Sequence, residues 1–282
     1  MSLYDCKMLG SSDIEIYFNR TALLGRGGYG EVYLANTTDL ARSEIGADLP
    51  PQVAVKRLNL KGNDDFARDS IINELTSLKT LNLQYCLKYY GCFENKDHLY
   101  IVMEYIQGKD LFDHIDANTF GEDEKLIVAR DIALGIEELH NAGFVHRDIK
   151  PENIMVVMDP KIRVVLVDYA FVCNSKQPWS GCSSKMGTMA YYDKKSIPGD
   201  MDSMKLADWW AFGQTLVILF LRKQLFDAGG KKFYSLSESD IKRLPDSVRD
   251  LVVHLTDRRI DQIDRPTSKQ IVKVLRDATV GM

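Results

Sequence analysis

The chain has 282 residues, of which 36 are basic and 40 are acidic, so its formal net charge at pH 7 is -4. Hydrophobic residues make up 45% of the chain, which is ordinary for a globular protein with a packed core. A mild excess of acidic residues argues against a basic surface for nucleic acid, so we expect no nucleic-acid partner. The length suits one large domain or a two-lobed one.

The five cysteines show no spacing typical of a metal knuckle or a redox pair. The first residues lack the cationic and apolar segments of a secretory leader, and the longest apolar run, residues 211–221, is too short to cross a membrane. An odd number of cysteines without a leader favours a reducing compartment. We therefore expect a cytoplasmic protein, with the nucleus as the alternative, and no membrane partner.

The first part of the chain has sequence patterns typical of β-strands. Residues 22–36 predict two strands joined by a glycine turn, and residues 51–60 predict a third. The polar stretch 37–51 predicts a surface loop, either a tolerated insertion or a docking loop. Apolar residues at helical spacing predict a helix over residues 65–82, and residues 98–106 return to strand character.

The later part of the chain is mostly helical in pattern. Residues 123–143 predict an amphipathic helix closed by Gly143, two short strands follow, and further helices run to the end. Residues 211–221 are interpreted as part of a buried core helix. These patterns predict an α+β protein with a β-rich lobe (1–103), a connecting segment (104–108), a helical lobe (109–282) and a cleft between the lobes.

Glycines cluster between the first two predicted strands: Gly25, Gly27, Gly28 and Gly30, with Val32 in the strand that follows. Glycines let backbone amides approach a polyphosphate closely, and strands on both sides argue against a dinucleotide-binding fold. Taken alone, the pattern is a weak signal for a phosphate-binding loop, because glycine-rich hairpins without a ligand are common.

Lys56 ends the apolar strand that contains Ala54, and taken alone such a lysine is typical of a surface cation. Glu74 lies on the helix face shared with Ile71 and Leu78, where a carboxylate can hold the ammonium against phosphates. The pattern favours an ion pair, and the alternative is that Glu74 is solvated.

The segment of residues 145–154, Val-His-Arg-Asp-Ile-Lys-Pro-Glu-Asn-Ile, lies between the predicted helix and the next strand. Asp148 can accept a hydroxyl proton, Lys150 can neutralise a transferring phosphoryl group and Asn153 can ligate Mg²⁺. The alternative, a charged loop at a helix end, leaves these spacings without a reason.

With these motifs the chain resembles the eukaryotic-type protein kinase domain over nearly its whole length. Two features of the sequence resemble serine/threonine kinases rather than tyrosine kinases. They are a lysine two residues after Asp148, Lys150, and a threonine directly after Gly187, Thr188. Residues 104–115 bear a looser similarity to calmodulin-dependent and related kinases. The resemblance implies the two-lobed α+β kinase fold, ATP with Mg²⁺ or Mn²⁺ as cofactors, and protein substrates phosphorylated on Ser or Thr.

The resemblance also implies roles for single residues. Asp148 is the expected catalytic base, Asn153 and Asp168 are the expected metal ligands, and Asp208, Trp210 and Gly213 match the helix that anchors the catalytic loop. Met103 stands at the position that controls access behind the nucleotide, Glu104 to Ile106 at the adenine-binding segment and Asp110 where the ribose is bound. The implied catalytic set is Asp148, Lys150, Lys56, Glu74 and Thr188, and the implied ATP site is Gly25, Gly27, Gly28, Gly30, Val32, Ala54, Lys56, Met103, Glu104, Ile106 and Asp110.

The segment after Asp168 departs from the family twice. Tyr169-Ala170 stands where Phe-Gly is usual. Tyr fills the same apolar slot if its hydroxyl finds a partner, and Ala restricts φ, so we expect the conformation that flips Asp168 outward to be less accessible.

Asp193 to Lys195 stand where Ala-Pro-Glu is expected, which removes the usual glutamate partner of Arg265. Either Asp193 substitutes, or the segment shifts in register, or Arg265 is exposed.

Regulation is expected in the same segment. In the family the arginine at position 147 often binds a phosphorylated loop residue, supplied by autophosphorylation or an upstream kinase. The candidate residues, which otherwise only solvate the loop, are Ser175, Ser180, Ser183 and Ser184. Cys173 and Cys182 are redox candidates, with inert thiols as the expected case.

Three functions fit these patterns. We favour an active serine/threonine protein kinase because every expected catalytic group is present. A pseudokinase scaffold rests only on the departures after Asp168, and a small-molecule kinase disagrees with the form of the catalytic loop. Asp110 and Glu152 predict a preference for a basic residue upstream of the target hydroxyl.

Overall fold

A computed structural model describes residues 5–9, 14–27, 30–61, 65–176, 180–227 and 229–282. The chain divides into two compact units, one of Met1–Asn82 with Leu87–Gln107 and the other of Leu83–Cys86 with Gly108–Met282. The first is mainly sheet and the second mainly helix, so the predicted α+β class is confirmed.

The first unit is built on a sheet that has six strands within the described residues, in the order β1-β5-β6-β4-β3-β2. β1 pairs with β5 in parallel and the other neighbours are antiparallel. β1 and β5 were not predicted, because β1 is very short and β5 contains a glycine and an irregular register. The strands are β1 (Lys7–Met8), β2 (Phe18–Gly27), β3 (Gly30–Thr37), β4 (Gln52–Asn59), β5 (Tyr89–Glu94) and β6 (His98–Glu104).

The stretch predicted as a surface loop contains helix α1 (Asp39–Ile45), so that prediction is wrong for these residues. Thr38 caps the helix, since its side chain accepts a hydrogen bond from the amide of Ala41. Ala41 and Leu49 are buried with Phe18 against one face of the sheet. The cap, the buried Ala41 and the partly buried Ile45 stabilise a helix that the polar composition of the stretch did not predict.

Helix α2 (Asp65–Thr80) is close to the predicted bounds. Ile71, Leu75 and Leu78 are buried and Ile72 is 43% exposed, as a one-sided apolar stripe requires. Glu74 is buried beside that stripe.

The second unit is organised around two long helices. α4 (Glu122–Asn141) ends as predicted, with Gly143 at a positive φ of 88°. Residues 211–221 are buried within α5 (Met201–Leu221), which confirms the core-helix interpretation. None of the described helices is long and apolar enough to cross a membrane. The helices are α3 (Leu111–Asp116), α4 (Glu122–Asn141), α5 (Met201–Leu221), α6 (Glu238–Arg243), α7 (Arg249–Thr256) and α8 (Ser268–Ala278).

Short strands of the second unit frame the loops that carry its polar residues. In its described part, one sheet has the order β10-β9-β7 and another pairs β11 with β8. These strands are β7 (Lys109–Asp110), β8 (Phe144–Val145), β9 (Ile154–Val157), β10 (Arg163–Leu166) and β11 (Cys173–Asn174).

Leu83–Cys86 was predicted to belong to the first lobe but lies in the second unit. The amides of Gln84 and Tyr85 donate to the carboxylate of Glu138 in α4, at 3.1 and 3.2 Å. The amide of Leu166 donates to the carbonyl of Tyr85 at 2.8 Å. These hydrogen bonds join the segment to elements distant in sequence, which local patterns do not reveal.

Two disulfides, Cys6–Cys92 and Cys173–Cys182, are present, and Cys86 is a buried free thiol. The expectation that Cys173 and Cys182 are inert thiols is wrong, because the turn Ser180–Ser183 brings Cys182 back to Cys173. Lys7 lies opposite Phe93 in the parallel pair, which sets Cys6 beside Cys92. Cysteine usage therefore gives no support to a reducing compartment, and the cytoplasmic location stays a prediction.

Arg265 is buried, and Asp193 takes the place of the missing glutamate. The carboxylate of Asp193 accepts from Nη1 of Arg265 at 2.6 Å and from Nε2 of Gln262 at 2.7 Å. Lys195 turns away and donates to Asp261 at 2.7 Å. Of the three alternatives, substitution by Asp193 is therefore observed, and an exposed Arg265 is excluded.

We predict that Asp193→Ala lowers the free energy of unfolding by about 3–5 kcal/mol, because it leaves a buried guanidinium without its counter-charge. Asp261→Ala is the matched control, since Asp261 is an exposed carboxylate paired with Lys195, and it is expected to change stability little. Urea unfolding of the three proteins measures both effects. Equal midpoints for the two variants would contradict the assigned role of Asp193.

Candidate active site

In the first unit, Lys56 and Glu74 form an ion pair. Strand β4 carries Lys56 and helix α2 carries Glu74, and Nζ lies 2.5 Å from Oε1. Glu74 is 5% exposed, so the alternative of a solvated side chain is excluded. A buried carboxylate fixes the ammonium in one place, as a lysine that holds phosphates requires.

The residues expected to bind ATP in this unit share one face of the sheet. Val32 lies opposite Lys56, and Ala54 lies opposite Met103. Because directly opposed residues and residues two apart in a strand point to the same face, these four side chains lie together.

The described glycines lie in the paired ends of β2 and β3. Gly25 lies opposite Val32, and Gly27 lies opposite Gly30. A Cβ at Gly30 would overlap the carbonyl oxygen of Arg57, so close pairing of β3 with β4 requires glycine there. Gly28 lies outside the described residues.

Beyond β6, the amide of Glu104 donates to the carbonyl of Lys88 at 2.9 Å, and Ile106 is buried. Asp110 belongs to the second unit, where its Oδ1 accepts from the amide of Asp113 at 2.7 Å and caps α3. One carboxylate oxygen of Asp110 is thus committed to the helix, which leaves the other for a ligand.

In the second unit, a carboxylate, a lysine, an amide and a threonine converge. Asp148 is 4% exposed, and its Oδ2 lies 2.8 Å from Nζ of Lys150 and accepts from Nδ2 of Asn153 at 2.8 Å. Its Oδ1 accepts from the amide of Thr188 at 2.7 Å. Nζ of Lys150 also donates to the hydroxyl of Thr188 at 2.6 Å, which closes the cluster.

The pKa of Asp148 is lowered below its ordinary value of 3.8. Burial acts to raise this pKa, but the hydrogen bond and the charge of Lys150, with the hydrogen bonds of Thr188, outweigh burial. Asp148 is therefore a carboxylate across the physiological pH range, ready to accept a proton.

Asp208 of α5 positions the backbone around Asp148. Its carboxylate accepts from the amides of His146 and Arg147 at 2.8 and 2.7 Å, and Nε2 of His140 lies 2.8 Å from the same group. Arg147 has a φ of 70°, a conformation that non-glycine residues rarely adopt. The two amide bonds to Asp208 stabilise that conformation.

Asn153 and Asp168 are brought near one another by backbone pairing. The amide of Val167, which precedes Asp168, donates to the carbonyl of Asn153 at 3.0 Å. The side-chain nitrogen of Asn153 is committed to Asp148, so its amide oxygen is the atom suited to a metal. Asp168 is exposed. An amide oxygen and a carboxylate suit Mg²⁺, which prefers oxygen ligands and keeps waters or phosphates in its shell.

The hydroxyl of Tyr169 donates to the carbonyl of Leu166 at 2.6 Å, so the partner that this buried phenol needs is present. Asp168 has a φ of 65°, and the amide of Ala170 lies 3.4 Å from its Oδ1. The restriction of outward conformations by Ala170 stays a prediction.

Two residues that the sequence analysis did not assign complete the site. His140 contacts Asp208, and its place in the last turn of α4 gives no signal of this contact. Gly187 has a φ of 98°, and a Cβ there would overlap the carbonyl oxygen of Arg147. The sequence shows that a glycine precedes Thr188, but the steric reason for a glycine there is visible only in the structure.

Comparison with known proteins identifies the same family. Residues 18–277 match the protein kinase domain model. A protein kinase C-like protein of Cochliobolus heterostrophus is 29% identical over 74% of this chain and 17% of its own length. A Dictyostelium discoideum protein named probable serine/threonine-protein kinase is 28% identical over 73% of this chain and 43% of its own.

Human ribosomal protein S6 kinase alpha-1 is 28% identical over 70% of this chain and 26% of its own length. The chain therefore spans less than half of the length of each of these three relatives. The finer similarity to calmodulin-dependent kinases stays a prediction. The family match covers nearly the whole chain and agrees with the geometry around Lys56 and Asp148, so the chain belongs to the protein kinase domain family.

Proposed function

We propose that the chain is the catalytic domain of a serine/threonine protein kinase, which transfers the γ-phosphoryl group of ATP to protein Ser or Thr hydroxyls. The observation that carries the proposal is the buried Asp148 carboxylate, held by Lys150, Asn153 and Thr188. The name of the Dictyostelium discoideum relative, probable serine/threonine-protein kinase, supports the serine/threonine class.

Each residue of the cluster has a step in this proposal. Asp148 orients the substrate hydroxyl and accepts its proton as the oxygen attacks phosphorus. Lys150 places a positive charge beside that carboxylate and next to the charge that develops on the transferring group. Thr188 holds both side chains in register through its amide and its hydroxyl.

ATP and Mg²⁺ are the proposed cofactors, with Mn²⁺ as an alternative metal. Bound Mg²⁺ supplies charge neutralisation of the phosphates, and the oxygen donors of Asn153 and Asp168 suit it. Lys56, fixed by Glu74, is the proposed contact of the first unit with the phosphates, and Val32, Ala54 and Met103 present the apolar face for the base. Gly25, Gly27 and Gly30 are the proposed phosphate-loop residues.

The pseudokinase alternative has no specific support. Tyr169 has a backbone partner, and Asp193 neutralises Arg265, so both departures from the family are compensated by local contacts. Each position that the chemistry depends on has the residue type that phosphoryl transfer needs. These positions are Lys56, Glu74, Asp148, Asn153 and Asp168.

The central prediction is transfer of labelled phosphate from Mg²⁺-ATP to the chain itself or to a generic Ser/Thr protein. Asp148→Asn should reduce this transfer by about 10²–10⁴-fold, because the proton acceptor is lost. Asp202→Asn makes the same chemical change at an exposed carboxylate in α5 and should leave transfer unchanged. Transfer that survives Asp148→Asn would refute the proposed role of Asp148, and bound ATP without transfer by the unaltered chain would favour the pseudokinase.

The acid limb of the pH profile depends on Lys150. Because the pKa of Asp148 is depressed, its carboxylate persists as the pH falls through the ordinary range. In Lys150→Ala, Asp148 stays buried but loses the main contact that lowers its pKa, so the pKa of Asp148 should rise. We therefore expect the acid limb of the kcat/KM profile to move to higher pH. Lys223→Ala removes a lysine that contacts Asp240 instead and serves as the control. Coincident acid limbs in all three proteins would contradict this account.

Peptide substrates with a basic residue upstream of the target hydroxyl should be preferred. Glu152 is exposed, and Asp110 pairs in the sheet with Met155, three residues after Glu152, so both carboxylates lie in one region. Glu152→Gln is expected to lower kcat/KM for the basic peptide by about two- to fivefold, the scale of an exposed ion pair. A neutral peptide should be unaffected. Equal turnover of both peptides by the unaltered chain would contradict the preference.

A further inference from the structure

The Cys173–Cys182 disulfide has no part in the proposed phosphoryl transfer, yet it lies next to the groups that perform it. Cys173 belongs to β11 and pairs with Val145, two residues before Arg147. Cys182 lies nine residues further along, in the short 3-10 turn Ser180–Ser183. Both cysteines are buried in an apolar cluster with Val145 and Met204. The bond therefore fixes a loop of the segment that follows Asp168, here called the activation segment (residues 169–196), to the strand that leads into the catalytic residues.

Arg147 contacts both sides of this disulfide. Its Nη1 lies 3.0 Å from Sγ of Cys173 and 3.0 Å from the carbonyl oxygen of Gly181. Its Nη2 donates to the carbonyl oxygen of Ser184 at 2.5 Å. The acceptors around this guanidinium are neutral groups within the loop that the disulfide closes and just outside it. In the family, a phosphate on the same segment is the expected partner of this arginine.

The loop is continuous with the catalytic cluster. A few residues after Ser184, Thr188 donates its amide to Asp148 and accepts from Lys150. Gly187 lies against the carbonyl of Arg147 so closely that no Cβ would fit. Displacement of the loop from Arg147 would therefore be transmitted to Asp148 through Gly187 and Thr188.

We propose that Cys173 and Cys182 are a reversible redox modification site, whose disulfide holds the activation segment on Arg147 in the role expected of a phosphate. The proposal rests on the proposed kinase function and adds its regulation. The oxidised form is the active one, because the Arg147 and Thr188 contacts coexist with the disulfide. A short covalent loop reduces the number of conformations open to the segment.

The chemistry requires a peroxide as oxidant and a dithiol as reductant. The Cys173 sulfur, 3.0 Å from Nη1 of Arg147, attacks the peroxide, gives up its proton and becomes a sulfenic acid with release of water. The Cys182 thiol then attacks that sulfur, the S–S bond forms and a second water leaves. Two thiols and one peroxide thus give one disulfide and two waters. A dithiol returns two electrons and two protons and is itself oxidised to a disulfide.

The test compares the full chain after treatment with hydrogen peroxide and after treatment with dithiothreitol. Differential alkylation with mass spectrometry measures the Cys173–Cys182 bond, and labelled ATP measures phosphoryl transfer. Hydrogen exchange of the amides of Gly181 to Ser184 reports loop order independently of activity. Cys173→Ser with Cys182→Ser removes the site, and Cys6→Ser with Cys92→Ser is the matched control that removes the other disulfide.

We expect reduction to lower transfer by about tenfold in the unaltered chain and in the Cys6/Cys92 control. The Cys173/Cys182 variant should have the lower rate under both treatments, with fast exchange at Gly181 to Ser184. Equal transfer by the two forms, once alkylation shows that they differ, would overturn the proposal, as would failure of the bond to form. Redox-dependent exchange without transfer in any form would support the site while refuting the kinase function on which its regulatory role rests.

Discussion

The arrangement of the second unit depends on one buried carboxylate. Asp208 is 1% exposed and accepts from two consecutive amides, those of His146 and Arg147, while His140 binds the same group. A left-handed residue such as Arg147 costs of order 1–3 kcal/mol and persists only where its surroundings over-determine it. Asp208 supplies that constraint. A residue of α5 therefore determines the backbone conformation next to Asp148 and with it the orientation of the Asp148 side chain.

The left-handed backbone conformation of Arg147 also directs its side chain toward the activation segment, whereas the next side chain, Asp148, points toward Lys150 and Asn153. Arg147 binds the loop through Gly181 and Ser184, and Asp148 binds Thr188 of the same segment. Two adjacent residues thus hold two parts of the segment. Further along, Asp193 holds it to Arg265. The segment is held in place by these contacts together, so a change at Arg147 would reach Thr188 and Asp148.

Sequence patterns succeeded where the determining contacts are local. The apolar periodicity of α4, its closure at Gly143 and the spacing of Asp148, Lys150 and Asn153 follow from residues near one another in the chain. They failed where the partners are distant. Helix α1 depends on an apolar cluster of the first unit, and the Cys6–Cys92 disulfide depends on the pairing of two strands remote in sequence. The sequence showed that Arg265 lacks its usual glutamate but did not identify the replacement, because that depends on which carboxylate is buried beside the guanidinium.

The departures from the family show which physical requirement is maintained when residues change. A buried guanidinium needs a counter-charge, and Asp193 supplies one from two positions before the expected glutamate. In the described part of the chain, Nε and Nη2 of Arg265 have no hydrogen-bond partner, as expected of a shorter carboxylate that reaches one nitrogen. The ring of Trp210, 4.7 Å from the guanidinium carbon, offers the remaining cation a π face. Charge neutralisation is thus maintained while the geometry of the pair is relaxed, so loss of the family triplet is no sign of lost chemistry.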